Sequence, residues 1–557
     1  MKKKNKLITW DTTSDPSQYP QEIKKTFNKI VLKERKNFTK WVGFIGKNFK
    51  TDIDWWASPP PSRHPQASNL YNFVCILETL KLVAKKNIKV EIESVELCET
   101  IKNWVEKKKL NVEVKHKKKS SKLKNFLNFS KALVFYIFTF FLIKIFTHKK
   151  NKNDSKNSLV LIHTFATKDS INHERLFLGL DKYIERKKIK NVFFVPSFII
   201  NRNLFELINI VRSLNKKKYF FKEHYLNFSD LFFAATHFLR VNKFKKKYVL
   251  YKNWDLSDII YKEIFSKSNY SSRIVCILNY RFVKNLYKNK FNIKKTISWF
   301  ETQIDKGWSF GFRKFFPKTL TYGYQGFTNL PQLMNTIPTV HEEKYQVVPK
   351  KIITIGKAYL NLRKEFNPKL KIIVGPALIY QEVFKKFVKK YEIEILVVLS
   401  GVNIFNKKLM EWVENLANKN KNIKIMIKPH KELRFSSAYD EKNLPKNCTV
   451  SYSKLNDLMK RSLIVVGCGP TSAVLEALAY KCFLIMPVLD IFDQINLEKL
   501  KIPKNIYSLA NTKEELLYKV TSAIKNKSLI KRKLNKDYKF RGYLFTKTSE
   551  KNLRYFY

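Results

Sequence analysis

Paired cysteines are missing from this sequence. The six present, Cys75, Cys98, Cys276, Cys448, Cys468 and Cys482, form no CxxC and no regular spacing, and most lie inside apolar runs. That pattern argues against a disulfide framework or a cysteine zinc site and fits free buried thiols in a reducing, cytoplasmic compartment. A secretory leader is also not expected: Met1-Lys2-Lys3-Lys4-Asn5-Lys6 starts positively, but Asp11, Asp15 and Pro16 arrive before any apolar core. Internal repeats and a long Gly/Ser linker are absent too.

Acidic residues are scarce. Against 108 Lys and Arg stand 46 Asp and Glu, a formal net charge of +62. Clustered cations of that number would suit a nucleic-acid backbone, whose counterions they release. Here the lysines are spread along the whole chain beside abundant Asn, Ile, Phe and Tyr, the mark of an AT-rich coding sequence. Nucleic acid is therefore not the expected partner, and attraction to an anionic membrane surface is the secondary consequence.

Apolar material is plentiful. With 557 residues, 44% of them hydrophobic and 14% aromatic, the chain exceeds one ordinary core and predicts two large α/β domains. Residues 1 to about 120 mix aromatic-rich helices with short strands at Ile88–Ile92 and Val112–Val114. The pair Trp55-Trp56 reads as packing, and Pro59-Pro60-Pro61 as an extended loop. Asp52-Ile53-Asp54 follows no clear strand and reads as a solvated turn, not a metal site.

The most apolar run, Ala132 to Ile143, is bracketed by Lys131 and Lys144. It falls short of the roughly 18 to 20 residues that span a bilayer, and residues 126–147 reach that length only if both lysines snorkel. An interfacial, shallowly inserted helix is the expectation, with Phe135, Phe138, Phe141 and Leu142 in lipid. A buried core helix and a spanning helix are the alternatives.

From about 155 to 345 apolar strands alternate with helical patterns: Leu159–Thr164, Val192–Pro196, Thr296–Phe300 and Thr319–Gly323. A linker is expected near His341–Pro349, and Ile352–Gly356 then opens a second domain containing the buried strand Glu394–Ser400. The expected division is 1–345 on the acceptor side and 346–557 for the nucleotide.

The densest chemistry lies late in the chain. A strand at Ile423–Ile427 closes on Lys428-Pro429-His430; another at Leu463–Val466 runs into Gly467-Cys468-Gly469-Pro470-Thr471-Ser472 and a helical run from Ala473 to Tyr480. An apolar strand, a glycine turn and a hydroxyl-bearing helix start aim free N–H groups and the positive end of the helix dipole at an anion. Pro470 suits a first helical turn, and Ser472 and Glu476 share a face at the i, i+4 spacing. Such a turn also occurs without a ligand; it is the pairing with His430 that predicts a nucleotide phosphate at the carboxyl edge of a parallel sheet.

On Asp54-Trp55-Trp56, Trp299-Phe300-Glu301-Thr302-Gln303, Gly323-Tyr324-Gln325-Gly326 and the two C-terminal segments, the chain resembles two-domain glycosyltransferases of the GT-B type, especially a family of bacterial surface carbohydrate biosynthesis proteins. The resemblance covers most of the chain and implies two Rossmann-like domains. Bacterial sialyltransferases and capsule enzymes carry a His-Pro dipeptide and a hydroxyl pair on the phosphate of a CMP-sugar. By similarity His430 matches the histidine and Thr471-Ser472 the hydroxyls, with Lys431 standing where a proline would follow.

Glycosyl transfer needs a base for the acceptor hydroxyl and dipoles or charge on the departing phosphate. Glu301, at a strand end, is the expected base and Asp305 the reserve. Lys428, His430, Gly469, Thr471 and Ser472 form the expected donor site, with Glu476 on a ribose hydroxyl. No metal and no cofactor are expected. The leading expectation is a membrane-associated transferase at the cytoplasmic face of the inner membrane, using a CMP- or UDP-linked sugar and a glycan or lipid-linked acceptor. The alternatives are a polyol-phosphate transferase of the teichoic-acid type, a nucleotide-sugar epimerase, and a basic protein that binds membrane or nucleic acid without catalysis.

Overall fold

The computed structural model describes residues 7–65, 67–117, 122–149, 158–198, 203–215, 218–244, 248–266, 270–301, 304–328, 330, 333–489, 494–536 and 540–557. Among these the chain forms a small parallel sheet, two six-stranded parallel sheets and a short antiparallel hairpin. The small sheet joins β1 (Ile8–Asp11), β2 (Ile88–Ile92) and β3 (Val112–His116) in that order. The hairpin is β6 (Leu250–Tyr251) with β7 (Trp254–Asp255).

The first large sheet comprises β4 (Leu159–Ala166), β5 (Val192–Phe198), β8 (Ile293–Trp299), β9 (Leu320–Gln325), β10 (Lys351–Thr354) and β11 (Ile372–Val374). Their order is β11-β10-β9-β8-β4-β5. The second comprises β12 (Ile393–Val398), β13 (Ile425–Lys428), β14 (Cys448–Val450), β15 (Ser462–Gly467), β16 (Phe483–Pro487) and β17 (Tyr507–Ala510), in the order β14-β13-β12-β15-β16-β17. Each sheet starts in its middle, grows to one side, then returns to grow on the other. The reversal leaves a crevice at the carboxyl ends of β4 and β8 in one domain, and of β12 and β15 in the other. Both are Rossmann-like, as expected. The central strands are buried along nearly their whole length, which is why they read as continuous apolar runs rather than alternating ones.

The expected domain boundary is displaced. β10 pairs with β9 and β11 with β10, so both extend the first sheet, and the second domain's first strand starts only at Ile393. The expected linker is a capped helix, Val340–Lys344, whose Thr339 and Glu342 close a capping box. Its polar residues look like linker only until their partners are seen. Glu342 is buried with Arg63 at 2.7 Å and Lys306 at 2.8 Å, and Arg63 also donates to the Met334 and Ile337 carbonyls.

The chain ends by crossing back. Thr546 N–H donates to the Ile355 carbonyl at 2.7 Å and its own carbonyl accepts from Ala377 N–H at 2.9 Å. Beyond it, Phe556 packs on Phe177 and Tyr324 of the first domain.

The apolar helix, α1 (Lys122–Phe146), lies on the first domain. Its stretch Leu127–Phe146 is long and apolar enough to cross a membrane, yet its two sides differ. Ala132, Phe135, Thr139, Phe140, Leu142 and Ile143 are buried, whereas Val134, Ile137, Phe138, Phe141 and Ile145 are exposed, Val134 and Ile145 at 66% and 72%. The exposed set recurs at i, i+3, i+4, i+7 and i+11, one stripe of a 3.6-residue helix. Phe135 and Leu142, expected in lipid, instead face the protein core.

Asp54 is a second correction. It is buried, not solvated, and its carboxylate is held by Arg240 at 2.8 Å and Lys243 at 2.8 Å while Asp52 caps its backbone N–H.

The Glu342 cluster predicts a measurable stability term. Burial alone would raise its pKa, but Arg63, Lys306 and the Thr339 N–H outweigh that and bring it down to about 2. A depressed carboxylate stabilises the fold above its unfolded value, roughly 4.3, and that stability drains away as pH falls from there toward about 2. Glu342→Gln leaves two buried cations without their anion and should cost about 3–5 kcal/mol in urea unfolding at pH 7. It should also flatten the acid limb of the stability profile; an unchanged midpoint would remove the cluster from the fold's support.

Candidate functional site

Glu301 follows β8 by two residues, at the crevice of the first sheet. It is half-buried, and Trp299 Nε1 donates to its Oε2 at 2.7 Å. Its backbone is pinned as well: its N–H donates to Asp305 Oδ2 at 3.0 Å, and Asn335 donates to its carbonyl. Burial pushes its pKa up and the Asp305 charge adds to this, while Trp299, Arg363 and Arg175 only partly oppose them. A raised carboxylate at a sheet crevice has the character of an acid–base group. Thr302 and Gln303 of the same motif lie outside the described residues.

Asp305 cannot share that role. It is fully buried, with Oδ1 3.5 Å from His163 Nδ1. The histidine stacks on Trp308 and sits 2.8 Å from Ser197 Oγ, which also accepts from the buried Lys222. Enclosed in this network, Asp305 is a prop that sets the Glu301 backbone, not a group an acceptor could reach.

In the second domain His430 lies two residues past β13, half-buried. Burial lowers its pKa below the ordinary histidine value, Lys431 and Lys428 pulling the same way and Glu432 opposing. Its Nδ1 accepts the Glu432 N–H at 3.3 Å, so the neutral ring carries its proton on Nε2 and can donate there. The ring stands against Gly401, where a Cβ would lie 3.4 Å from Cε1.

The two expected donor-site segments are in one sheet but are not neighbours, because β12 runs between β13 and β15. Its end, Ser400-Gly401-Val402, therefore forms the floor between His430 and Gly469, a third segment that sequence reasoning missed. Gly469 adopts φ +74, open to glycine at little cost. Thr471 Oγ1 accepts from Ala473 N–H at 3.3 Å and Ser472 Oγ donates to Glu476 Oε1 at 3.1 Å. The helix α2 (Ala473–Ala479) begins three residues after Pro470, which therefore precedes its first turn. Lys428 turns away, donating to the Tyr452 carbonyl at 3.3 Å.

The halves meet. Arg175, in the segment after β4, lies 3.5 Å from Glu432, in the segment after β13, so the carboxyl edges of the two sheets face one another. Tyr380 sits between them. Burial raises its pKa, with Glu476 and Glu301 adding to the effect and a hydrogen bond with Ser472 opposing it. Its ring stacks on Phe545 at 4.6 Å. Arg363, wholly buried, faces Glu301; burial brings it down to about 9 despite Tyr359 and Glu301, and it donates to Thr336 Oγ1 at 3.1 Å. The buried Tyr359 hydroxyl has no hydrogen-bond partner among the described residues. None of these three carried a sequence signal, since Leu360-Asn361-Leu362-Arg363 reads as an ordinary helical surface. The arrangement combines a raised carboxylate, a buried cation, a neutral imidazole donor and a glycine turn, the parts of a site that deprotonates one group while holding an anion.

No protein-family model matches the chain, and no curated protein matches it. Solved structures do. A crystal structure of the glycotransferase of kitacinnamycin is 9% identical, covering 70% of this chain and 96% of that chain at a TM-score of 0.40. A glycosyltransferase from Rickettsia africae ESF-5 is 13% identical over 72% and 98%, at 0.41. A UDP-GlcNAc 2-epimerase from Neisseria meningitidis bound to UDP-GlcNAc is 12% identical over 69% and 97%, at 0.39. Both transferases and an epimerase stand among them, so this distant likeness selects no reaction. The fold assignment itself rests on the strand order of the two sheets.

The crevice predicts coupled ligand contacts. His430→Ala and Ser472→Ala should each weaken UDP or CMP binding, read by titration calorimetry, by roughly 1 to 3 kcal/mol if a hydrogen bond to a charged phosphate is lost. Flanking one floor, they should act non-additively in the double variant. Wild-type affinity in both single variants would dissolve the site.

Proposed function

We propose that the protein is a glycosyltransferase of the GT-B type, moving a sugar from a CMP- or UDP-linked donor to a surface glycan or lipid-linked acceptor without a metal ion. The observation that carries this reading is the meeting of the two sheets' carboxyl edges, where Arg175 of the first domain lies 3.5 Å from Glu432 of the second, with Glu301 on one side and Ser472 and Glu476 on the other. The donor's nucleotide occupies the second domain, its phosphate over Gly469, Thr471 and Ser472 with the His430 Nε2–H as donor and Glu476 toward the ribose. Glu301, across the cleft, takes the proton of the acceptor hydroxyl as that oxygen attacks the anomeric carbon. Base and leaving phosphate then stand on opposite sides of the sugar, which makes a single displacement with inversion the expected course. The N–H groups of the glycine turn balance the charge that develops on the phosphate, while the buried Arg363 acts on Glu301. Asp52 and Asp54, the one Asp-x-Asp pair, are engaged by Lys243 and Arg240, which supports the metal-independent reading.

Glu301→Gln keeps the shape and removes the proton acceptor, so turnover should fall by about two to four orders of magnitude with nucleotide affinity little changed. Because burial raises the Glu301 pKa, the acid limb of wild-type kcat should lie above the usual glutamate range, and the residual activity of the variant should lack it. Wild-type turnover should survive EDTA. The assay is sugar transfer with release of nucleotide; isomerised donor and no labelled acceptor would make the protein an epimerase instead.

We further propose peripheral attachment to the cytoplasmic face of the inner membrane through the exposed stripe of α1. Its apolar side chains insert shallowly while Lys131 and Lys144 meet anionic headgroups. Replacing Val134, Ile137, Phe138 and Phe141 together by Ser should move the protein from the membrane to the soluble fraction with its melting temperature preserved, because none of the four is a core residue. Unchanged partition would refute the attachment, and resistance of the wild type to alkaline carbonate would favour a spanning helix.

A further inference from the structure

Trp55 of the Asp54-Trp55-Trp56 motif, which the transfer reaction leaves unused, lines a separate cavity. This cavity of about 290 Å³ lies in the first domain between the Arg35–Phe49 region and the residues around the β6–β7 hairpin, at the lower end of the range for ligand pockets. Trp41, Phe44, Phe49, Trp55, Phe244 and Ile260 line it. The rings form a packed set, Phe49 lying 5.1 Å from Trp55 and 4.7 Å from Phe244.

Three observations identify the occupant. Two polar groups of the wall are engaged within the protein, Trp41 Nε1 donating to the Leu250 carbonyl at 2.7 Å and Ser257 Oγ donating to Asp255 while accepting from Val249 N–H, and Trp55 Nε1 is the one buried donor of the wall without a partner among the described residues. A sugar, which needs many hydrogen-bond partners, therefore finds few there. Lys47 and Asn48 are exposed at the wall, a polar edge suited to a head group beside an apolar body. Finally, exposed apolar side chains recur between the stripe of α1 and the cavity. Phe228 packs 5.3 Å from Phe141 of α1, and along the same segment Phe228, Phe232 and Leu239 are 60%, 71% and 53% exposed before Phe244 enters the wall. Soluble monomers rarely leave such a band uncovered.

We propose that this cavity holds the hydrocarbon chain of a lipid-linked acceptor, drawn in from the membrane along the Phe228–Leu239 band. The identity of that chain as part of an acceptor rests on the transferase reading; its binding does not. Trp56, beside Trp55, lies 5.4 Å from the Lys306 amine, which belongs to the helix that props Glu301, so chain site and candidate base are built on one packed body.

The test is photolabelling of the full-length protein with a dodecyl phosphate carrying a diazirine on its chain, followed by peptide mapping. Adducts should concentrate in residues 41–55 and 248–264 and be competed by unmodified dodecyl phosphate. Ile260→Trp, which fills the cavity, should reduce them at least tenfold. Should that variant misfold by circular dichroism, Phe44→Ser serves instead: Phe44 is 67% exposed, and its loss should weaken labelling several-fold and raise KM for a chain-bearing acceptor with kcat unchanged. Labelling confined to residues 134–145 and 228–239, or unchanged in the folded variants, overturns the proposal. Cavity labelling without any sugar transfer leaves the hydrocarbon site standing and removes the transferase reading; transfer without cavity labelling does the reverse.

Discussion

Two backbone hydrogen bonds at Thr546, to Ile355 and from Ala377, hold the two halves of the molecule in one geometry. The chain leaves the second domain and returns to the first, and the close passage of Leu544 demands a glycine opposite: a Cβ on Gly356 would lie 2.2 Å from the Leu544 carbonyl oxygen. Leu544, Phe545 and Phe556 are all fully buried. Their burial removes apolar surface from water and repays the ordering of an otherwise terminal segment. Tyr380 inherits its position from this return, since its ring stacks on Phe545. Tyr380 is thus oriented by the returning C-terminal segment.

From that geometry follows the electrostatic character of the cleft. Glu301 and Glu476 both have raised pKa values, in each case chiefly through burial, while the buried Arg363 has a lowered one. Desolvation disfavours every charge it encloses, so bringing the crevices together sets all three groups away from their solution behaviour at once. Elsewhere the same burial is fully compensated, as at Glu342 between Arg63 and Lys306. The contrast is physical: a carboxylate with two cations in contact is held ionised and structural, whereas Glu301, with a tryptophan N–H and a more distant guanidinium, is left poised.

The central strands of both sheets were legible because burial on two faces writes them as unbroken apolar runs, Leu159–Ala166 and Ser462–Gly467 being found within two residues of their ends, whereas Ile372–Val374, Cys448–Val450, Phe483–Pro487 and Tyr507–Ala510 were not read as strands. Helix faces were less legible. In α1 nearly every position is apolar, so composition could not tell Phe135, packed on the core, from Phe138, exposed beside it. The expected boundary at 345 failed for a related reason. A short strand such as Lys351–Thr354 looks alike whether it opens one sheet or extends another, and pairing alone distinguishes the two.

Local chemistry was within reach of the sequence: an apolar strand, a glycine able to adopt positive φ at Gly469, and hydroxyls and a carboxylate spaced i, i+4 depend only on near neighbours along the chain. The partners were not. That Asp305 is walled in by His163, that Ser400-Gly401 separates His430 from Gly469, and that Tyr380 and Arg363 join the site all depend on residues tens to hundreds of positions apart. Strand order and the returning C-terminal segment bring them together, and no periodicity or spacing along the chain encodes that proximity.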